Sequence, residues 1–177
     1  MSIELGLARA IEAESFGEPG QRTFRLRIIG ERSESASLWM EKEQFQALSL
    51  ALGQILSELR HSARPEGAAA IEYPESADHE FKVGRMALSI DTATKRVVLY
   101  LSDTESEETD EPTLRVDVSH DHCSALRDQL DEIASRGRPV CPLCHAPMDA
   151  SGHACIRGNG YSKQPIPDEE SGSEDES

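Results

Sequence analysis

Hydrophobic residues recur along this chain with two different periods, and the points where the period changes mark off its elements. Apolar and polar residues alternate at Ile3, Leu5 and Leu7, at Phe24, Leu26 and Ile28, and at Ala36, Leu38 and Met40. A period of two is the mark of a strand with one buried face, so the first forty residues are predicted to form three strands. The stretch FGEPGQR at 16–22 is the turn between the first two, with Pro19 presetting one dihedral and Gly17 and Gly20 available for positive φ. The period then lengthens. Phe45, Leu48, Leu52, Ile55, Leu56 and Leu59 recur at intervals of three and four, which predicts one apolar face on a helix over about 42–60. Residues 62–79 contain two prolines and no period, and read as a connecting loop.

The same succession follows a second time. Strands are predicted near 81–91, 96–102 and 113–118, and then a helix with Ser119 as N-cap, Asp121 in its first turn, a stripe of Cys123, Leu126, Leu130 and Ile133, and Gly137 as terminator. The expected fold class is α+β: a β-β-β-α order occurring twice, forming an antiparallel sheet with both helices on one face. Arg25 and Arg27 share the outward face of their strand, which reads as a solvated sheet surface.

Composition changes this picture in one respect. The formal net charge is -15, but DTESEETDE at 103–111 and DEESGSEDES at 168–177 carry six acids each and no base. Setting those twelve aside leaves 21 acidic against 18 basic side chains, so the folded body is close to neutral and the acidity belongs to a loop and a tail. No apolar run reaches the roughly 18 residues of a membrane span, and Glu4 interrupts the N-terminus where a signal peptide needs an apolar stretch. A soluble cytoplasmic protein is expected, and in a reducing compartment clustered cysteines bind metal or do redox work.

Three of the four cysteines lie in CPLCHAPMDASGHACIRGNGY at 141–161. Cys141 and Cys144, with two residues between them, can aim two thiolates at one ion from a single tight turn, and His153 and Cys155 complete a Cys3His set. Three soft sulfurs and an imidazole suit Zn2+ rather than magnesium or calcium. A thioredoxin-like pair opens a helix after a strand; here the pair follows a helix terminator and precedes Ala146-Pro147, which opposes helix. Cys123 and His145 are the nearest substitutes as ligands, but Cys123 sits on a helix stripe and His145 adjoins Cys144. His120 and His122 read as first-turn residues of the second helix. Four ligands leave no position for water, so the zinc is expected to be structural, folding a segment with almost nothing apolar to bury. The implied organisation is an α+β domain over 1–137, a zinc knuckle over 138–161 and an acidic tail over 162–177. No nucleophile elbow, phosphate-binding loop, zincin helix or dinucleotide fingerprint occurs, and no catalytic residue is assigned.

GEPGQRTF at 17–24, EKEQ at 41–44, FKVG at 81–84 and above all GRPVCPLCHAPMDASGHACIRGNGY at 137–161 resemble the uncharacterised bacterial family Domain of Unknown Function three thousand and ninety. By that resemblance Cys141, Cys144, His153 and Cys155 match presumed metal positions, followed by Arg157, Asn159 and Gly160. The family pattern has glycine where this chain has His145 and proline where it has Ile156; a left-handed backbone is costlier for histidine than for glycine, though histidine tolerates it better than most residues, so the local turn is expected to differ without loss of the metal. The resemblance also implies a shared pathway with a histidine-phosphatase-like protein and a lipid-kinase-like protein.

The function expected from these readings is a non-enzymatic zinc protein serving as a protein-interaction or regulatory module, with Glu18, Arg22, Arg157 and Asn159 as candidate contact residues. The alternatives are nucleic-acid binding through Arg136, Arg138, Arg157 and Lys163 beside Tyr161, and an enzyme in which Glu18, Arg22 and His79 meet across the sheet.

Overall fold

The computed structural model describes residues 2–18, 20–59, 71–106, 111–136, 141–145, 148 and 155. The chain divides into two compact units, Met1–Gly137 and Arg138–Ser177. In the first, the elements run β1 (Ile3–Leu7), β2 (Ala10–Phe16), β3 (Thr23–Ile29), β4 (Ser35–Met40), α1 (Lys42–Glu58), β5 (His79–Asp91), β6 (Arg96–Asp103), β7 (Leu114–Val118) and α2 (His120–Ser135). They make an α+β fold whose seven strands lie in the order β1-β7-β6-β5-β4-β3-β2.

Two expectations are corrected. Four strands, not three, precede α1, because the segment after Leu7 is a second strand: of its inward side chains Ile11, Ala13 and Ser15, only the first is large, so the alternation does not stand out. The sheet is also mixed rather than antiparallel, with β1 parallel to β7 and β4 parallel to β5. A strand followed by a helix returns to the same end of the sheet, so the β4-α1-β5 connection produces a parallel pair where a hairpin would produce an antiparallel one. On either side of that seam stand two antiparallel meanders, β2-β3-β4 and β5-β6-β7.

The outermost strands of this order, β1 and β2, are joined by only Ala8 and Arg9, so the sheet must curl back on itself. The Ala8 N–H donates to Asp117 O of β7 at 2.7 Å and the Arg9 N–H to Ile29 O of β3 at 2.8 Å, the chain thus changing partners between the two strands. The closure is completed by the Glu31 N–H on Leu5 O at 2.9 Å. Gly30 allows it, because a Cβ there would stand 2.6 Å from Leu5 O.

The inward faces of the strands and the apolar stripes of both helices share one core, with Leu26, Leu38, Leu48, Leu52, Leu99, Leu126 and Leu130 fully buried. Ser119 caps α2, its Oγ accepting from the His122 N–H, and Gln44 Oε1 accepts from the Glu41 N–H at the start of α1. Gly17 and Gly20 take φ of 98° and 93° in the β2-β3 turn. The outward face is a charge ladder. Arg25 pairs with Glu14 at 2.5 Å, and Arg27 with Glu12 and with Glu14, the latter at 2.8 Å. Arg25 also stacks on Phe16 and Trp39, and Arg27 on Tyr73, whose phenol is pushed up by burial and by nearby Glu12. The two arginines therefore neutralise their own strand neighbours.

Candidate metal centre

Pro142 fixes one dihedral in the turn Cys141-Pro142-Leu143-Cys144, which closes when the His145 N–H donates to Cys141 O at 2.9 Å. That closure puts His145 in the left-handed region at φ 58°. Glycine adopts this conformation without strain and histidine does so at a cost, so the position where the sequence departs from the family pattern is the one where the backbone calls for glycine. Within the turn the backbone N–H groups of Cys144 and Leu143 point at the Cys141 sulfur. They hold its pKa below the ordinary thiol value, with further help from the Cys144 and Cys155 side chains and against the opposing effect of burial.

The sulfurs of Cys141, Cys144 and Cys155 all lie within 4.8 Å of one another. Cys141 Sγ and Cys155 Sγ are 3.8 Å apart, and no disulfide joins them. Two thiolates each about 2.3 Å from a shared tetrahedral ion stand about 3.8 Å apart, and this separation fits such an arrangement. Cys141 is 4% exposed and the other two are half-buried. A pre-turned pair, a third sulfur brought from eleven residues further on, and amide dipoles favouring the thiolate form can together hold a metal ion. The fourth expected ligand, His153, lies outside the described residues, as do Arg157 and Asn159.

The remaining candidates are dispersed. Cys123 is buried in α2, and burial pushes its thiol up to about 12, which suits a packing role and not metal binding. Glu18 is exposed in the β2-β3 turn, where its carbonyl accepts from the Gln21 N–H. Arg22 reaches the end of α2, donating through Nη2 to Arg136 O at 2.6 Å and through Nη1 to Ile133 O at 3.3 Å. His79 lies level with Ala36 and hence Ile28, six residues along from Arg22 and about 20 Å of strand away. Glu18, Arg22 and His79 therefore do not converge. Of the four basic residues considered for nucleic acid, Arg136 is the one described, and it pairs with Glu132 of its own helix.

Sequence reading did not connect two of the motifs it singled out. Gln44 Nε2 donates to Val83 O at 2.8 Å and to Gly84 O at 3.1 Å, while Lys82 pairs with Glu41 at 2.5 Å, so EKEQ and FKVG are two sides of one joint between α1 and β5. Each lies some forty residues from the other, and no local signal links them. A polar cleft of about 110 Å³, lined by Arg25, Arg27, Ser37, Tyr73, Glu75 and Glu80, opens on the outward sheet face. Leu143, in the turn between Cys141 and Cys144, is 53% exposed.

Fold and site together define the class: an α+β protein with a mixed seven-stranded sheet and a cysteine cluster near its C-terminus able to hold a metal. The family described as Protein of unknown function (DUF3090) matches residues 5–155, and the chain belongs to that family. No curated protein and no solved structure matches it.

Proposed function

We propose that this chain is a structural zinc protein, in which Cys141, Cys144, His153 and Cys155 hold Zn2+ and the ion folds the C-terminal segment into a module that binds another protein. The observation that carries the reading is the sulfur triangle, with its 3.8 Å edge between residues fourteen apart in sequence. Thiolates at tetrahedral spacing favour zinc over hard cations, and three cysteines with a histidine close the coordination sphere, leaving none of it for substrate. Structural zinc in such modules contributes roughly 10 to 16 kcal/mol near neutral pH, enough to order a segment poor in apolar residues.

An interaction role is supported by Leu143, an apolar side chain held out to solvent in the turn between Cys141 and Cys144, with Glu18 exposed in the β2-β3 turn. Arg157 and Asn159, directly after the last cysteine, are the polar contacts proposed beside it. The histidine-phosphatase-like and lipid-kinase-like proteins implied by the family resemblance are the partners to try first, in a cytoplasmic setting that keeps the thiols reduced.

Elemental analysis of the purified full chain tests the metal reading. One zinc per chain is expected, falling below a tenth of that in Cys141→Ser and in His153→Ala. Substoichiometric metal in the wild type, or full metal in both variants, would overturn it. Leu143→Asp, with zinc retained, is expected to abolish capture of a partner.

A further inference from the structure

Glu12, Arg27, Ser37 and Glu80 form an outward row across β2, β3, β4 and β5, each residue the registered partner of the next. Three of them are long and charged. Ser37 is short, and the polar cleft opens where it sits, with Tyr73 and Glu75 of the segment before β5 also lining it. Ser37 is 6% exposed, yet its hydroxyl makes no hydrogen bond among the described residues. Its equally buried strand neighbour Ser35 is bonded to Asp78. On one side of Ser37, Arg27 commits Nη2 to Glu12 and Glu14 and leaves Nε, shielded from solvent, with no partner. On the other side Glu80 accepts the Trp39 indole N–H through Oε1 at 2.7 Å and keeps its second oxygen for other use. Glu75 has no hydrogen-bond or ion-pair partner among the described residues. Buried polar groups are normally matched, so an unmatched hydroxyl beside an unmatched guanidinium N–H points to something the chain itself does not supply.

Charge and size narrow what fits. Arg25 and Arg27 stand against Glu12, Glu14, Glu75 and Glu80, and this excess of carboxylates disfavours a phosphate or a simple carboxylate as ligand. Buried N–H and O–H groups at the floor ask for an oxygen acceptor, and the exposed carboxylates of Glu75 and Glu80 ask for a cation. The volume of about 110 Å³ holds about four waters at ~30 Å³ each, which limits the ligand to a handful of non-hydrogen atoms. We propose that the cleft binds a small amine that also carries an oxygen acceptor, the oxygen on the Ser37 hydroxyl and Arg27 Nε, the ammonium between Glu75 and Glu80. Amino alcohols and the smallest amino acids share this chemistry and differ in whether the oxygen is neutral or charged. An amine without the oxygen leaves the floor unmatched, and an anion without the amine meets the surplus carboxylates, so each half of the ligand is selected separately. None of these residues belongs to the cysteine cluster.

Trp39 is the single tryptophan of the chain and is bonded to Glu80, so its fluorescence reports on the cleft. The zinc-replete full chain is titrated at constant ionic strength with ethanolamine, glycine, methylamine and acetate. Ethanolamine or glycine is expected to give a saturable change with a Kd of about 1 mM, at least about tenfold tighter than methylamine or acetate. The tighter of the two shows whether the acceptor is a neutral or a charged oxygen. Glu80→Gln keeps an acceptor for the Trp39 N–H and removes the charge, and Ser37→Ala removes the hydroxyl without filling the cleft. Each is expected to raise that Kd at least about fivefold with an unchanged circular dichroism spectrum. No saturation by ethanolamine or by glycine up to about 100 mM overturns the proposal. So does methylamine or acetate binding as tightly as both, and so does binding that neither variant weakens, which places the ligand elsewhere.

Discussion

Replacing Arg22 by alanine separates a residue that holds the fold from one that faces a partner. The last turn of α2 contains no basic side chain and the C-cap Arg136 directs its guanidinium back to Glu132, so the terminal carbonyls take their charged donor from elsewhere. Arg22 supplies it from the start of β3, through one short bond to Arg136 O and one long bond to Ile133 O. A hydrogen bond from a charged donor contributes about 1.5 to 3 kcal/mol. The short bond lies at an exposed site and counts at the low end, the long bond adds little, and the dipole adds about 0.5 kcal/mol. Arg22→Ala should therefore cost about 2 kcal/mol. In a unit of this size that lowers Tm by roughly 7 °C. Urea titration followed by far-ultraviolet circular dichroism and by Trp39 fluorescence measures it, with an unchanged m-value expected. Arg22→Lys should recover less than half, because a single ammonium lacks the planar fork that reaches two carbonyls at once. A variant within about 0.5 kcal/mol of wild type, the usual size of a surface substitution, would refute this account of the residue.

Further outcomes follow from other sites. Gly30→Ala should destabilise by about 2 kcal/mol in the same titration, since its Cβ meets the backbone oxygen of Leu5 at 2.6 Å and neither strand can withdraw without opening the closure. His145→Gly should relieve about 1 kcal/mol of left-handed strain and tighten metal binding about fivefold in a chelator competition. Thiol alkylation of the native, chelator-treated protein should modify three cysteines, and mass spectrometry should find Cys123 unmodified until the chain is denatured. The Asp78 carboxyl accepts from the Ser35 N–H and hydroxyl, which lower its pKa from its ordinary 3.8. The charged form is therefore the one that stabilises. Its contribution is full above the unfolded pKa and is lost as pH falls through the lower folded value, so the stability gap between wild type and Asp78→Asn should be present at neutral pH and close in acid below about 3.8.

Much of the architecture was legible because its signals are local. The helix stripe of Cys123, Leu126, Leu130 and Ile133, the Ser119 cap and the strands from β5 to β7 all rest on residues within a few positions of one another. Strand β2 escaped notice because packing, not hydrophobic contrast, holds it: the Ala13 N–H is taken by Gln129 of α2, 116 residues away. The cysteine pair was readable from its spacing, since two thiolates on one turn need only the chain between them.

By itself the amino-acid order determined periodicity, capping, turn chemistry and the donor atoms offered to a metal, because each depends on neighbours the backbone already joins. Only the tertiary structure decided that the consecutive strands β1 and β2 join opposite ends of the sheet, that β4 and β5 run parallel, and that Arg22 closes α2 rather than facing solvent. It also brought the Cys155 sulfur to the Cys141 turn. These contacts join residues far apart in the chain, and their free energy appears only when the intervening segments have packed. No window of sequence contains both partners.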